Sequence, residues 1–203
     1  MPCYAIDGVI PVVHPSAHVH PSAVLIGDVH IGPGAYIGPN ASLRGDFGRI
    51  EIHAGANVQD CCVLHGFPQN LCVVARDGHV GHGAILHGCQ VGKGALVGMN
   101  AVLMDEVELG DFAIVAAHAF VPAGRKLPAR HLIVGSPAKV LRPLSDEEIS
   151  WKAEGTATYQ ELTRRCLASL REVQPLQEPE PGRPSLPAFA VQPKLHLKDK
   201  PVD

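Results

Sequence analysis

The chain has 203 residues and a formal net charge of −3, and only 4% of its residues are aromatic, whereas Gly and Pro are frequent. An isoelectric point near 6.4 leaves no basic excess, so neither nucleic acid nor an anionic membrane is an expected partner. The segment "MPCYAIDGVIPVVHP" lacks the features of a secretion signal, and no later stretch approaches the ~20 apolar residues of a membrane-spanning helix. We therefore expect a cytoplasmic protein.

From Val13 the sequence repeats every six residues, as in "VHPSAH VHPSAV LIGDVH IGPGAY IGPNAS". Each hexad opens on an aliphatic residue, and a small residue recurs four positions later. This period fits neither a helix nor a long alternating strand. Short strands joined by Gly, Pro, Asn or Asp corners explain it, because three of them close a triangular coil with the aliphatic residues on its axis. The predicted fold is all-β, a hexapeptide-repeat parallel β-helix.

The segment that follows the repeat predicts a helix. Ser145 is an N-cap candidate with Glu148 three residues on, which is the pattern of a capping box. An apolar stripe recurs at helical spacing, with a break expected near Gly155; it comprises Tyr159, Leu162, Cys166 and Leu170. The predicted organisation is an N-terminal extension over 1–12, the β-helix over 13–134, a connector over 135–144, the C-terminal α-helix over 145–173 and a Pro-rich, disordered tail over 174–203.

The repeat arithmetic brings two histidines together. Arg44, His65 and His87 each follow a leucine that opens a hexad of the same face, in three successive coils, so their side chains should form a column with a spacing of about 4.8 Å. His65 and His87 could then share one cation. His82 lies on another face, up to about 16 Å along the chain from His87, so we expect His82 of a neighbouring subunit to complete the site in a homotrimer.

The other histidines are predicted to be polar surface. His79 has no histidine partner in the neighbouring coils and is assigned to the surface. The same assignment is made for His14, His18, His20, His30, His53, His118, His131 and His196.

Three segments, "SLRGDFGRIEI", "ANVQDCCVLHG" and "GHVGHGAILHGCQVGKGALVGMNAVL", resemble the γ-carbonic-anhydrase superfamily. With "HLIVGSPAKVLRPLSDEE" the resemblance narrows to the phenylacetate-degradation hexapeptide proteins of the PaaY type, to which the carnitine-operon hexapeptide proteins are close relatives. The sequence itself does not reveal the hand of the solenoid. The resemblance implies that the solenoid is left-handed.

The resemblance also implies the roles of five site residues. His65, His87 and the adjacent subunit's His82 match the family's ligands for Zn²⁺, for which Fe²⁺ or Co²⁺ could substitute. Asn57 and Gln59 match polar residues that orient water at the metal.

The resemblance implies further interface and site residues. Arg44 and Asp46 match an ion pair across the trimer interface, with Asp60 supporting Arg44. Tyr159 either points its hydroxyl toward the metal or belongs to the helix core. The sequence differs from the archetypal carbonic anhydrase at two places where that enzyme has acidic proton shuttles. Phe47 follows the Arg-x-Asp motif, and "GFPQN" replaces an acidic loop.

Three histidines that leave a coordination position open predict a metal-dependent hydrolase. The resemblance to the PaaY type implies, more specifically, a thioesterase for dead-end esters of the phenylacetyl-CoA type. A γ-type carbonic anhydrase is an alternative, although the missing shuttles argue for slow CO₂ hydration. A CoA-dependent acyltransferase is another, because "GSPAKVLR" resembles a segment that such enzymes place against CoA. A non-catalytic trimeric scaffold with a structural metal is the third.

Overall fold

The computed structural model describes residues 2–188. The elements in chain order are β1 (Cys3–Tyr4), β2 (Val12–Val13), β3 (His18–Val19), β4 (Val24–Ile31), β5 (Tyr36–Ile37), β6 (Ser42–Ile52), β7 (Asn57–Val58), β8 (Val63–His65), β9 (Cys72–Val74), β10 (His79–Val80), β11 (Ile85–His87), β12 (Gln90–Val91), β13 (Leu96–Val97), β14 (Val102–Leu103), β15 (Glu108–Leu109), β16 (Ile114–Val115), β17 (Phe120–Val121), β18 (Lys126–Leu127), β19 (His131–Val134), β20 (Lys139–Pro143) and α1 (Asp146–Ser169).

The strands stack into a parallel β-solenoid of about 7 turns with one C-terminal helix. One face is the sheet β3-β5-β7-β10-β13-β16-β19, and the other two faces are joined through the long strands β4 and β6. Pairing between coils is parallel, as between β8 and β11. The predicted fold class, a left-handed parallel β-helix of hexapeptide repeats with a C-terminal α-helix, is confirmed.

The hexad-opening residues fill the axis of the solenoid. Leu25, Leu43 and Leu64 are fully buried, and so are small residues such as Ala41 and Ala84 at the position four residues after an opening residue. Burying one aliphatic side chain stabilises a fold by about 1.5–3 kcal/mol. The repeated aliphatic column is therefore the main stabilising element of the chain.

The first interruption of the repeat is built as continuous strand. β6 turns the corner between two faces, pairing with β8 at its start and with β9 at its end. Its corner stacks directly on the next coil, where a Cβ added to Gly66 would lie 1.9 Å from the Gly48 carbonyl oxygen. Only glycine permits the two backbones to lie so close together at this corner. The close stacking holds the Asp46–Phe47 segment beside the loop that begins at Phe67.

The helix has the predicted capping box, in which the Ser145 side chain accepts from the Glu148 N–H and the Glu148 carboxylate accepts from the Ser145 N–H. It runs unbroken through Gly155 and ends at Ser169. The predicted apolar stripe is wrong in part, since Leu170 is half exposed. The buried side chains of the helix are all polar or charged, namely Glu148, Lys152, Thr156 and Thr163.

Both ends of the solenoid differ in detail from a bare repeat. β1 and β2 pair with β4, so the N-terminal extension adds strands to the first coil. In the connector, β20 turns back antiparallel to β19. Half of the predicted tail, residues 189–203, lies outside the described residues, whereas residues 174–188 are exposed and contain no helix or strand. The disorder of the tail stays a prediction. Within residues 2–188 no helix is both long and apolar enough to cross a membrane.

Candidate functional site

The strand register aligns His65 with His87, as the repeat arithmetic predicts. β6 pairs Arg44 with His65, and β8 pairs His65 with His87. We call these three residues the site column. His65 Nδ1 lies 3.1 Å from His87 Nε2. At this distance the two rings share one hydrogen bond, and both could turn toward a common cation.

Carboxylates orient both rings of the pair. His87 Nδ1 lies 2.7 Å from Asp105 Oδ1, and His65 Nε2 lies 3.0 Å from Asp46 Oδ1. A carboxylate on one ring nitrogen fixes the tautomer of an imidazole and makes the other nitrogen a better ligand or base. The free side of His87 is therefore Nε2, the atom that faces His65.

His82 carries the same arrangement on a different face. Its Nδ1 lies 2.5 Å from Asp60 Oδ2, and both side chains are substantially exposed. Asp60 and His82 follow strands in register, because Asn57 pairs with His79. Within the chain Asp60 pairs with His82, and the Arg44 guanidinium pairs with Asp46. That Asp60 supports Arg44 at the interface between subunits stays a prediction.

No group of three or more His, Cys, Asp or Glu side chains within residues 2–188 could hold a metal ion in a single chain. The structure thus brings His65 and His87 together without His82, as the separation of their faces predicts. The three histidines can meet only if another subunit contributes one of them, which stays a prediction.

Arg44 and Asp46 form an ion pair within β6, with 2.7 Å between Arg44 Nη1 and Asp46 Oδ2. Their predicted role between subunits is not tested by this contact. Burial raises the pKa of Asp46, but hydrogen bonds from His65 and from its own backbone, together with the Arg44 charge, lower it overall. Asp46 is therefore an ionised acceptor that holds His65.

Two aromatic rings stand beside the histidines at the positions where acidic shuttles are missing. The Phe47 ring centroid lies 5.1 Å from that of His65, and the Phe67 ring lies 5.8 Å from His87. Both phenylalanines are exposed in the chain. Apolar walls at this point would limit water around the pair rather than carry protons to solvent.

The surface assignment of His79 is wrong. Its side chain is only partly exposed, with Nδ1 shielded from solvent, and burial lowers its pKa to about 3, assisted by the charges of Lys152 and His82. Its Nε2 lies 2.5 Å from Gln59 Nε2, and Gln59 donates to the Asn57 amide oxygen at 3.0 Å. His79 is therefore a neutral imidazole held against the two predicted polar site residues.

Tyr159 lies over this polar cluster rather than in an apolar stripe. Its ring packs edge-on against His79, with centroids 5.3 Å apart, and lies tilted against Tyr36 with centroids 5.4 Å apart. Burial, with the charges of Asp60 and Cys62, raises the pKa of Tyr159 to about 12. The hydroxyl stays protonated at neutral pH and can donate a hydrogen bond.

The column beneath the helix could have been found from the sequence. The register pairs His18 with Tyr36, Tyr36 with Asn57, and Asn57 with His79, so the spacing that aligns His65 and His87 also aligns these four. We call them the helix column. His18 is buried and stacked on Tyr36, which corrects its surface assignment. Burial, then the charge of His20, lowers the pKa of His18.

Known proteins place the chain among bacterial hexapeptide-repeat proteins. Residues 10–45 match the family described as Bacterial transferase hexapeptide (six repeats). A hexapeptide transferase family protein from Anaplasma phagocytophilum is 34% identical, covers 81% of this chain and 97% of its own, and superposes with a TM-score of 0.78. A putative acetyltransferase from Bacillus cereus is also 34% identical, with coverage of 82% and 96% and a TM-score of 0.81.

Closer similarity is found among proteins named Carnitine operon protein CaiE. The protein from Escherichia coli O7:K1 is 56% identical over 92% of this chain and 95% of its own, and that from Salmonella agona is 55% identical over 96% and 98%. The chain belongs to the family of these hexapeptide-repeat carnitine operon proteins. This agrees with the close relative inferred from the sequence, whereas the narrower phenylacetate-degradation type finds no support in these comparisons.

Proposed function

We propose that this protein is an acyl-CoA hydrolase whose reaction centre is shared between subunits of a homotrimer. The observation that carries the proposal is the repeated carboxylate–histidine pair. In His87–Asp105 and His82–Asp60 alike, the carboxylate meets Nδ1. Nε2 is then left as the ligand atom of both rings, which is the usual preparation of histidine for a metal.

The donor set fits a divalent metal, because His65, His87 and a second subunit's His82 would give three imidazoles and leave a coordination position open. Bound there, Zn²⁺, or Fe²⁺ or Co²⁺ in its place, would supply Lewis-acid chemistry that polarises a carbonyl and acidifies water. Asp46, Asp60 and Asp105 keep the imidazoles oriented.

A trimer is supported by an exposed apolar column beside the site column. Val63, Ile85 and Phe120 are 41%, 41% and 38% exposed, and they belong to the face that carries His65 and His87. Apolar surface in register over several coils is suited to burial by another solenoid. Hexapeptide-repeat proteins are typically trimers, and a neighbour packed here could bring its His82 to the pair.

The remaining site residues suit hydrolysis of a thioester. The Gln59 amide, held by Asn57 and His79, would orient the attacking water, whose oxygen bonds to the thioester carbon as the carbon–sulfur bond breaks. The products are the free acid and the CoA thiolate, and the proton that the water loses passes to that thiolate or to solvent. Tyr159, protonated at neutral pH, could donate a hydrogen bond to the departing thiolate. Thiolates leave readily, so a strong acid is unnecessary. The Phe47 and Phe67 walls argue against the rapid proton export that CO₂ hydration needs.

The identity of the acyl group in the substrate is the most specific part of the proposal. The sequence resemblance suggests phenylacetyl-CoA derivatives, whereas the names of the closely similar proteins point to an acyl-CoA of carnitine metabolism. We therefore place carnitinyl-CoA beside phenylacetyl-CoA as the first substrates to compare.

Acyl transfer is the second candidate, because the similar solved structures are of a hexapeptide transferase family protein and a putative acetyltransferase. In that reaction His87, polarised by Asp105, would act as a base on an acceptor nucleophile. A histidine base needs no metal, so metal dependence separates the candidates.

The first experiment measures metal content and thiol release on one preparation, with and without an added amine or hydroxyl acceptor. Metal-dependent thiol release without an acceptor is the expected result. Release that requires an acceptor and survives metal removal would replace hydrolysis by acyl transfer. Activity lost on chelation while the trimer persists would exclude a purely structural metal.

Shared ligation is tested by mixing inactive variants under subunit exchange. Chains with His65→Ala and chains with His82→Ala should regain activity together, because a mixed trimer contains some intact sites. A mixture of His65→Ala and His87→Ala chains is the matched control and should stay inactive, since both ligands come from the same chain. Equal behaviour of the two mixtures would contradict the shared centre.

A further inference from the structure

The outward column on the helix-bearing face changes character halfway along the solenoid. Its members, in successive coils, are His18, Tyr36, Asn57, His79, Leu96, Ile114 and Leu132. The helix α1 packs most extensively on β3, β5 and β7, which carry the polar members. Three apolar side chains, Leu96, Ile114 and Leu132, continue the column beyond His79.

These apolar residues line a cleft of about 420 Å³. We call the space bounded by Leu96, Met99, Ile114, Leu132 and Trp151 the helix cleft. Pockets for small ligands commonly measure about 300–1,000 Å³. The helix cleft is thus large enough for an acyl group and too small for a whole CoA molecule.

The polar lining of the cleft consists of residues of the proposed reaction centre. Gln59, His79, His82 and Tyr159 all contribute to it. Among the described residues that line the cleft there is no Asp, Glu, Lys or Arg, and His79 is neutral. A carboxylate bound in the cleft would therefore lack a Lys or Arg counter-charge.

We propose that the helix cleft binds the acyl group of the CoA ester and selects acyl groups that carry no carboxylate of their own. The inference rests on the proposed function for the position of the thioester, which would lie beside Gln59 and His82. From there an acyl chain extends along Leu96 and Met99 toward Trp151. Apolar atoms gain by leaving water for this lining, whereas an unpaired carboxylate loses its hydration.

Binding can be measured apart from turnover with unreactive thioethers. S-butyl-CoA and S-(3-carboxypropyl)-CoA differ by one terminal carboxylate, and free CoA serves as the reference. Trp151 is the single tryptophan of the chain, so its emission reports directly on the cleft. We expect S-butyl-CoA to change Trp151 emission and to bind at least about tenfold more tightly by calorimetry than the other two.

A matched pair of variants locates the binding. Met99 and Leu167 are 52% and 50% exposed, and only Met99 lines the cleft. Met99→Glu should weaken S-butyl-CoA at least about tenfold without changing the affinity for free CoA. Leu167→Glu should bind all three compounds as the wild type does.

The outcomes distinguish failure of the cleft assignment from failure of the proposed function. Equal affinity for S-butyl-CoA and the carboxylated thioether, or equal losses in both variants, would overturn the cleft assignment. Tight S-butyl-CoA binding without thiol release from any acyl-CoA would overturn the proposed function and support the cleft. If Met99→Glu fails to fold, the comparison of the three compounds on the wild type still decides.

Discussion

The site column and the helix column are built by the same repeat and differ in what lies beside them. Asp46 and Asp105 place carboxylates against the rings of His65 and His87. His79 instead meets the Gln59 amide and the Tyr159 ring beneath a helix. Identical spacing thus produces one pair of imidazoles held by carboxylates and one imidazole kept neutral by burial. The coil stacks histidines, and the flanking groups decide their chemistry.

The largest expected effect comes from removing a ring of the site column. His87→Ala should abolish metal binding and lower thiol release by more than the roughly 10- to 100-fold that is typical of losing a group behind a ligand. The trimer should remain folded, because the aliphatic axis is untouched. Metal analysis, kinetics and thermal unfolding measure this. His53→Ala, at an exposed histidine, is the control, and an active, metal-loaded His87→Ala protein would remove His87 from the centre.

The second prediction changes only the carboxylate behind that ring. Asp105→Asn keeps a hydrogen-bond acceptor but loses the charge that polarises His87, so metal affinity should fall about 10- to 100-fold. Competition with a chelator measures the dissociation constant. Asp111→Asn, at a carboxylate bonded to the Lys93 backbone N–H, should leave it unchanged. Unaltered affinity in Asp105→Asn would mean that the contact is incidental to metal binding.

The contrast between the columns marks how far the sequence could predict the site. Period six determined the fold and aligned His65 with His87, because every coil adds one fixed strand spacing. It also aligned Asn57 with His79, in a column that stacked histidines alone do not reveal. The helix α1 covers this column. Its buried side chains, such as Lys152 and Thr156, are polar, so a search of the sequence for apolar residues at helical spacing does not identify the face that packs on the solenoid.

Flanking carboxylates were equally hidden. Asp105 meets His87 from the coil that follows, and Asp60 lies one coil from His82, so each contact depends on corner positions where side-chain direction is not fixed by the period. The Phe47 and Phe67 walls depended on the stacked glycine corner at Gly48 and Gly66. Sequence arithmetic gives the column to which a residue belongs, and the corners determine what it touches.

The third prediction concerns the pH dependence of stability that the neutral His79 of the helix column should cause. The pKa of His79 is about 3 in the folded chain and about 6.5 in the ordinary state, so the unfolded chain binds the proton first as pH falls. Stability should drop between about pH 6.5 and 3, by roughly 2 kcal/mol at pH 5 from this residue. Glutamine does not titrate, so in His79→Gln the free energy of unfolding should fall less steeply as the pH is lowered. Denaturant unfolding from pH 7 to 5 measures it.

His14→Gln is the control for that pH series, because His14 is exposed. It should retain the wild-type slope of unfolding free energy against pH. Equal slopes in the wild type and in His79→Gln would contradict a neutral imidazole, largely shielded from solvent, at position 79.

The smallest expected effect tests whether the helix protects only its own column. Ser145→Ala removes the side-chain half of the capping box and should cost about 1 kcal/mol of helix stability. Because α1 covers the helix column and not the site column, hydrogen exchange should accelerate at the amides of His79 and Asn57, while the metal affinity of the His65–His87 pair stays at the wild-type value. Ser169→Ala, at the far end of the same helix, should leave both measurements nearly unchanged. Parallel losses at both columns would mean that the two respond as one cooperative unit, and that the stability of the helix also affects metal binding by His65 and His87.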